Sequence, residues 1–215
     1  MDVRHRRRNH DTVTGRSARA WRRAARNQSP RGAAVYAQHR RRLLAELTGT
    51  VLEIGPGFGP NGAYFPSAVR WVGLEPNPYL HERLRRTARG PVLSGDAQHL
   101  PLADHSVDAV VATSVLCSIP DQDRVLAEIV RVLRPQGRYV FLEHVAAPRG
   151  TWSQGALRLV APLSRRLDAG CDPTRETGRA IETAGFATVE MEEFLLPAPL
   201  GVKIPHINGW ATTAG

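Results

Sequence analysis

Residues 51–59 read Val-Leu-Glu-Ile-Gly-Pro-Gly-Phe-Gly, a short apolar run holding one acid and closing on glycines at alternate positions. A run of this length fits a buried strand, and glycines at its end let backbone approach a bound nucleotide at little steric cost. The spacing is not that of a dinucleotide-binding turn, Gly-x-Gly-x-x-Gly. Three residues past Gly57 stands Pro60, and the third glycine comes early, as Gly59. Glu53 argues against the same ligand class by charge, because a carboxylate beside a pyrophosphate repels it. A guest carrying an ammonium and a sulfonium is attracted instead. S-adenosylmethionine meets that requirement and NAD does not.

The pattern repeats downstream. Trp71-Val72-Gly73-Leu74-Glu75 is a second apolar run ending in an acid, 22 residues after Glu53. At the end of the second strand of a βαβ unit, such a carboxylate accepts hydrogen bonds from both ribose hydroxyls. A third run, Pro91 to Ser94, leads into Gly95-Asp96-Ala97, where Asp96 is placed to accept the adenine amino proton. One acid after a strand is usually a turn or helix cap. Three in this order suggest neighbouring strand tips along one sheet edge. The cofactor-binding set expected is Glu53, Gly55, Gly57, Gly59 and Asn61 at the first tip, then Glu75 and Pro76, then Asp96 and Ala97. Thr113 and Ser114 join it after the fourth strand.

The rest of the chain supplies the alternation of a doubly wound α/β fold. A helix over 33–48 with Tyr36, Leu43, Leu44 and Leu47 on one face precedes strand 50–54, and Tyr36 is a candidate for the site. Pro60-Asn61-Gly62 is read as opening a short helix. Strand 70–74, helix 78–89, strand 91–94 and strand 107–112 follow. Asp121 caps a helix through Leu133, which Pro135 and Gly137 stop, and strand 138–144 comes next. A helical segment over 151–167 and a helix near 173–184 form an insertion over the strand tips. Residues 188–196 and 207–213 read as an antiparallel C-terminal hairpin. The expectation is therefore a single Rossmann-like domain over 31–215 built on a seven-stranded sheet, with a helical cap around 151–172.

These residues carry a resemblance. Glu53 to Gly59, Glu75, Asp96-Ala97 and Leu133-Arg134-Pro135-Gln136-Gly137 resemble the motif series of class I S-adenosylmethionine-dependent methyltransferases, over roughly residues 50–145. A narrower likeness includes Val115-Leu116-Cys117-Ser118, Glu143 to Ala147, Asp168 to Cys171, Thr174-Arg175-Glu176 and Pro205 to Gly209. It is to the membrane-bound alkyl-thiol methyltransferases of animals. The chain departs from that group at its front end, where no apolar anchor stands, and at Pro56, where the group tends to have Cys. The resemblance implies methyl transfer from S-adenosylmethionine to a small molecule, with a thiol acceptor favoured and oxygen or nitrogen acceptors as the alternative.

Such a displacement starts from an activated leaving group, so alignment does most of the work, and orientation can contribute about 7–11 kcal/mol. Acceptor-side residues are expected at the ends of the fourth and fifth strands and in the hairpin. His144 is the first candidate for a proton acceptor and His206 the second, each also readable as a structural histidine. Cys117 reads as packing, and Asp168 and Cys171 have no role derivable from chemistry. No Cys or His pair shows metal-ligand spacing, so no metal is expected.

Charge is uneven. Of the net +9, residues 1–26 hold nine Arg and two Asp, which is +7, leaving +2 for the remainder. Residues 1–30 are accordingly expected to be a flexible basic arm, either solvated or touching an anionic membrane surface or nucleic acid. A base-flipping methyltransferase would carry Asn/Asp-Pro-Pro-Tyr/Phe after the fourth strand. Here Thr113-Ser114-Val115-Leu116 stands there, and the fragment Asn77-Pro78-Tyr79 falls on the ribose side. A module that binds the cofactor without turnover is the third reading. Two cysteines make no disulfide framework, so a cytoplasmic setting is expected.

Overall fold

The computed structural model describes residues 30–167, 170–198 and 201–215; the basic arm and Asp168 lie outside the described residues. Helix α1 (Pro30–Leu44) leads into strands β1 (Thr50–Ile54) and β2 (Arg70–Leu74), helix α2 (Pro78–Thr87) and strand β3 (Val92–Leu93). Strand β4 (Val107–Thr113), helix α3 (Gln122–Val132) and strand β5 (Leu133–His144) follow. Helices α4 (Trp152–Leu167) and α5 (Thr177–Glu182) precede strands β6 (Thr188–Pro197) and β7 (Lys203–Thr212). The strands form one seven-stranded sheet in the order β3-β2-β1-β4-β5-β7-β6. The first five are parallel, and β7 pairs antiparallel with both β5 and β6.

Successive side chains of a strand point to opposite faces, so a sheet covered on both sides needs apolar residues at every position. The central strands follow this apart from Glu53, Asp108 and Glu143 near their ends. Leu52, Val110 and Phe141 face a core completed by Leu126 and Ile129 of α3 and Ile181 of α5. Val51, Val111 and Val140 face a second core with Leu44 of α1 and Leu84 of α2. Each such side chain contributes about 1.5–3 kcal/mol on burial. Asp121 caps α3 as expected, its carboxylate accepting from Arg124 N at 3.0 Å.

Several boundaries differ from the sequence reading, among them the first helix at Pro30–Leu44 instead of 33–48 and the last at Thr177–Glu182 instead of 173–184, and three bear on the site. Residues 60–67 form turns rather than a helix, with Gly62 N–H donating to Gly59 O and Tyr64 N–H to Asn61 O. Pro60, Gly62 and Pro66 leave too short a run for a helical ladder, and Asn61 is turned inward instead. Strand β5 begins at Leu133, pairing with Val107 ahead of a register shift. Strand β7 begins at Lys203, so His206 lies within it rather than before it. Pro205 does not interrupt that strand, because its carbonyl still accepts from Val145 N–H at 3.0 Å.

Candidate active site

The glycines at the end of β1 adopt the conformation their spacing suggested. Gly55, Gly57 and Gly59 all have φ in the left-handed region, at 60°, 57° and 76°. At Gly55 space is short as well, since a Cβ there would lie 2.8 Å from Val115 Cγ2. The chain can therefore curl over the tip of β1, presenting bare backbone at these three positions.

Glu53 and Asn61 form the frame under that turn. Asn61 Nδ2 donates to Glu53 Oε1 at 2.8 Å and to Thr113 Oγ1 at 3.0 Å, and Arg40 Nε donates to Asn61 Oδ1 at 2.7 Å. Trp71 Nε1 donates to the other Glu53 oxygen at 2.7 Å. Both side chains are buried, Glu53 at 2% and Asn61 at 0% exposure, and protein donors already occupy their oxygens. Burial pushes the Glu53 carboxyl up to about 7, against the pull of Trp71 and Asn61. Glu53 thus takes a proton near neutrality, and a cationic guest would return it to the ionised form.

Glu75 sits differently. Its oxygens accept from Gly57 N–H at 3.0 Å and Asn77 N–H at 2.9 Å, which ties the second strand tip to the glycine turn. Two amide donors leave lone pairs on each oxygen for ribose hydroxyls. His81 supports the loop through Nε2 and Glu75 O, 2.7 Å apart, while Pro76 is exposed. At the third tip Asp96 is exposed and Ala97 buried. The Asp96 carboxylate accepts from Gln98 N–H at 2.9 Å, a local turn bond of the ordinary kind.

The acceptor side gathers at β4, β5 and β7. Ser114 has φ of 58°, uncommon for a residue with a side chain and typical of strained functional positions. Tyr36 of α1 is buried against it, with the two hydroxyl oxygens 3.5 Å apart. The Tyr36 ring meets His206 edge-on at 5.5 Å, and His206 stacks on Phe194 at 5.2 Å. His206 is paired in register with His144 across β7 and β5, their rings 5.5 Å apart. The two histidines ranked from sequence therefore stand side by side.

Their chemistry differs. His206 has its Nδ1 2.9 Å from Ile204 O, and burial followed by His144 pushes its pKa down to about 4, leaving it neutral. It is a poor proton acceptor. His144 Nδ1 lies 3.3 Å from Cys171 Sγ, and its Nε2 is buried with no hydrogen-bond partner. Glu143, fully buried, accepts from Val115 and Leu116 N–H, and burial pushes its carboxyl up to about 8.

Cys171, which sequence reasoning left without a role, comes up beside Cys117 as well as His144. The Cys117 thiol beside it is pushed up by that contact and by burial, while Cys171 is held down by Cys117 and then by His144. No local spacing signals this meeting, since the three residues lie 27 apart along the chain. The loop after α4 delivers it: Asp172 N–H donates to Cys117 O at 3.0 Å, and Arg165 holds the Asp172 carboxylate at 2.9 Å. A cavity of about 340 Å³ opens under α4, walled by Ala146, Ala147, Leu157 and Ala161, with Arg158 and Arg165 in its lining.

Residues 52–141 match a family profile described as a methyltransferase domain. The human thiol S-methyltransferase TMT1A is 37% identical over 171 residues, covering 75% of this chain and 70% of that protein. The human thiol S-methyltransferase TMT1B is 35% identical, covering 80% and 77%. The chain belongs to the S-adenosylmethionine-dependent methyltransferases. A methyltransferase of this kind from Thermotoga maritima has the same fold, at a TM-score of 0.63 and 21% identity, covering 84% of this chain and 88% of that one. S-adenosylmethionine is the cofactor of this enzyme. The residues present fit it: a turn at β1 with glycine at alternate positions, the Glu75 carboxylate with acceptor capacity to spare, and an aromatic and imidazole wall beyond β4.

Proposed function

We propose that this methyltransferase transfers the methyl group to the sulfur of a small apolar thiol. The observation that carries the reading is the scarcity of proton-accepting groups at the acceptor tips, where among the described residues His144 alone keeps a buried ring nitrogen without a partner. Glu143 is sealed under backbone amides and His206 is kept neutral. An alcohol or phenol needs a capable base, whereas a thiol, with a reference pKa of about 8.5, gives up its proton with far less help. The names of the two human relatives point the same way. Tyr36, Phe194 and His206 offer ring surface to an apolar acceptor. When bound, the cofactor supplies a methyl group already activated on a sulfonium. The Gly55–Gly59 turn and Glu75 would fix its nucleoside end, while Tyr36 and Ser114 bound the space through which the acceptor approaches. The free thiols of Cys117 and Cys171 suit a reducing compartment such as the cytoplasm.

Purified protein incubated with methyl-labelled cofactor and a panel of alkyl thiols, phenols and amines tests this reading. Labelled thioether is the expected product, and labelled phenol or amine with unlabelled thiol would overturn it.

A further inference from the structure

We propose that Cys117, His144 and Cys171 hold a thiophilic divalent cation of the zinc class, and that its open fourth position takes the acceptor thiol. The proposal rests on the thiol reading above and gives that reading a means of activation. One ligand atom from each of the three residues lies within 4.8 Å of the other two. Tetrahedral zinc with bonds of about 2.3 Å to sulfur and 2.0–2.1 Å to nitrogen needs ligand atoms roughly 3.5–3.8 Å apart. The 3.3 Å between His144 Nδ1 and Cys171 Sγ is already near that spacing. Closing the widest separation takes a movement of about 1 Å.

Three further observations support a built site. Both cysteines are buried, at 2% and 8% exposure, and both are free. Their loops are fastened to each other, with Asp172 N–H and Arg175 Nε both donating to Cys117 O, at 3.0 and 3.1 Å. Gly170 at the approach to Cys171 takes φ of 92° and passes over Ser118, a conformation that brings the second sulfur to the first. Two sulfurs and one imidazole with a vacant position is the donor set of a catalytic rather than a structural zinc site.

The reaction balances without an outside oxidant or reductant. Binding of the cation displaces the protons of Cys117 and Cys171 to solvent. The acceptor R–SH displaces the water at the fourth position and releases its own proton to solvent, leaving a metal-bound thiolate. Its sulfur attacks the methyl carbon in line; the new C–S bond forms as the methyl–sulfonium bond breaks, and that electron pair remains on the departing sulfur. The neutral thioether R–S–CH₃ binds the cation weakly and is replaced by water. His144 is then a ligand rather than the proton acceptor that the sequence nominated.

The test is metal content and cobalt spectroscopy on the full chain, kept reduced. After loading with Zn²⁺ and desalting, about one zinc per chain is expected to remain. The C117S/C171S double variant and H144A are expected to retain almost none while still binding S-adenosylhomocysteine, which reports an intact fold. Cobalt-loaded protein should show a sulfur-to-metal charge-transfer band, with visible bands that shift on adding an alkyl thiol and stay put on adding the matching alcohol. Zinc retained equally by the double variant overturns the site, as does its absence from the wild type. Undiminished thiol methylation by chelator-treated, metal-free protein overturns the activation while leaving the thiol reading standing. A cobalt spectrum indifferent to thiols, together with methylation of phenols only, overturns both.

Discussion

The two ends of the sheet's carboxyl edge are built on opposite plans. At β1 and β2, Glu53 is held by Asn61 and Trp71, and Glu75 by the Gly57 and Asn77 amides, with both oxygens of each carboxylate occupied. At β4, β5 and β7 a strained Ser114, an unpartnered His144 Nε2 and two free cysteines stand together. The first region is hydrogen-bonded in place before any ligand arrives, as suits a guest that is the same at every turnover. The second keeps unused bonding capacity and strain, as suits the side where bonds are exchanged. Holding a cofactor calls for polar groups fixed by the protein, as Glu75 is, with some acceptor capacity left over; chemistry calls for groups less tightly committed.

Removing Glu75 should break this contrast most severely. Glu75→Ala removes the carboxylate that accepts from the Gly57 and Asn77 amides and takes away the nucleoside ligand, and S-adenosylhomocysteine affinity should fall about 100-fold by calorimetry, as for a charged hydrogen-bond pair. An unchanged dissociation constant in a variant with native circular dichroism would move the nucleoside elsewhere. His144→Ala should act on the other side only. Thiol kcat/KM should drop on the order of 10–100-fold, while cofactor affinity stays within about twofold. Equal losses in both quantities would mean that the two regions are one unit.

Gly55→Ala should cost roughly 1–2 kcal/mol from its left-handed backbone, with more from contact with Val115. Gly150→Ala, also left-handed but with open space around it, should lose only the backbone part. Equal urea midpoints for the two variants would show that the turn at β1 is not tightly packed.

The smallest effect is a slope. The carboxyl of Glu53 titrates higher in the folded protein, at about 7, than its ordinary 4.5. Its contribution is therefore fully present below pH 4.5 and is lost as pH rises through 7. Glu143, pushed up to about 8, acts in the same direction. Glu53→Gln should flatten the fall in urea stability between pH 5 and 7.5 without abolishing it. An identical slope in variant and parent would show that Glu53 keeps its charge throughout.

How much of this was legible in the sequence follows the same division. The tips of β1, β2 and β3 were readable because each is local: an apolar run, an acid and a glycine lie within a few residues. Strands 50–54 and 70–74 and the Asp121 cap appear as read. What could not be read is which partner takes which bond. Trp71 was counted as an apolar residue in a strand, yet its indole N–H holds Glu53. Arg40 gave no signal at all. On the acceptor side, His206 meets His144 only because β7 inserts beside β5, and Cys171 meets Cys117 only because the segment after α4 folds back. Those are consequences of long-range pairing, which no spacing rule records.

The place of β7 has a further consequence for how the molecule is made. Emerging from synthesis in order, residues through 197 would present β5 with a bare edge and β6 with nothing to pair with, because the strand that joins them comes afterwards. A nascent chain at that stage could already recognise its nucleotide but would lack the imidazole of His206 and the closing half of its catalytic wall. Competence to capture the donor would thus precede competence to use it, and the interval between the two is when the open β5 edge is most exposed to pairing with another chain.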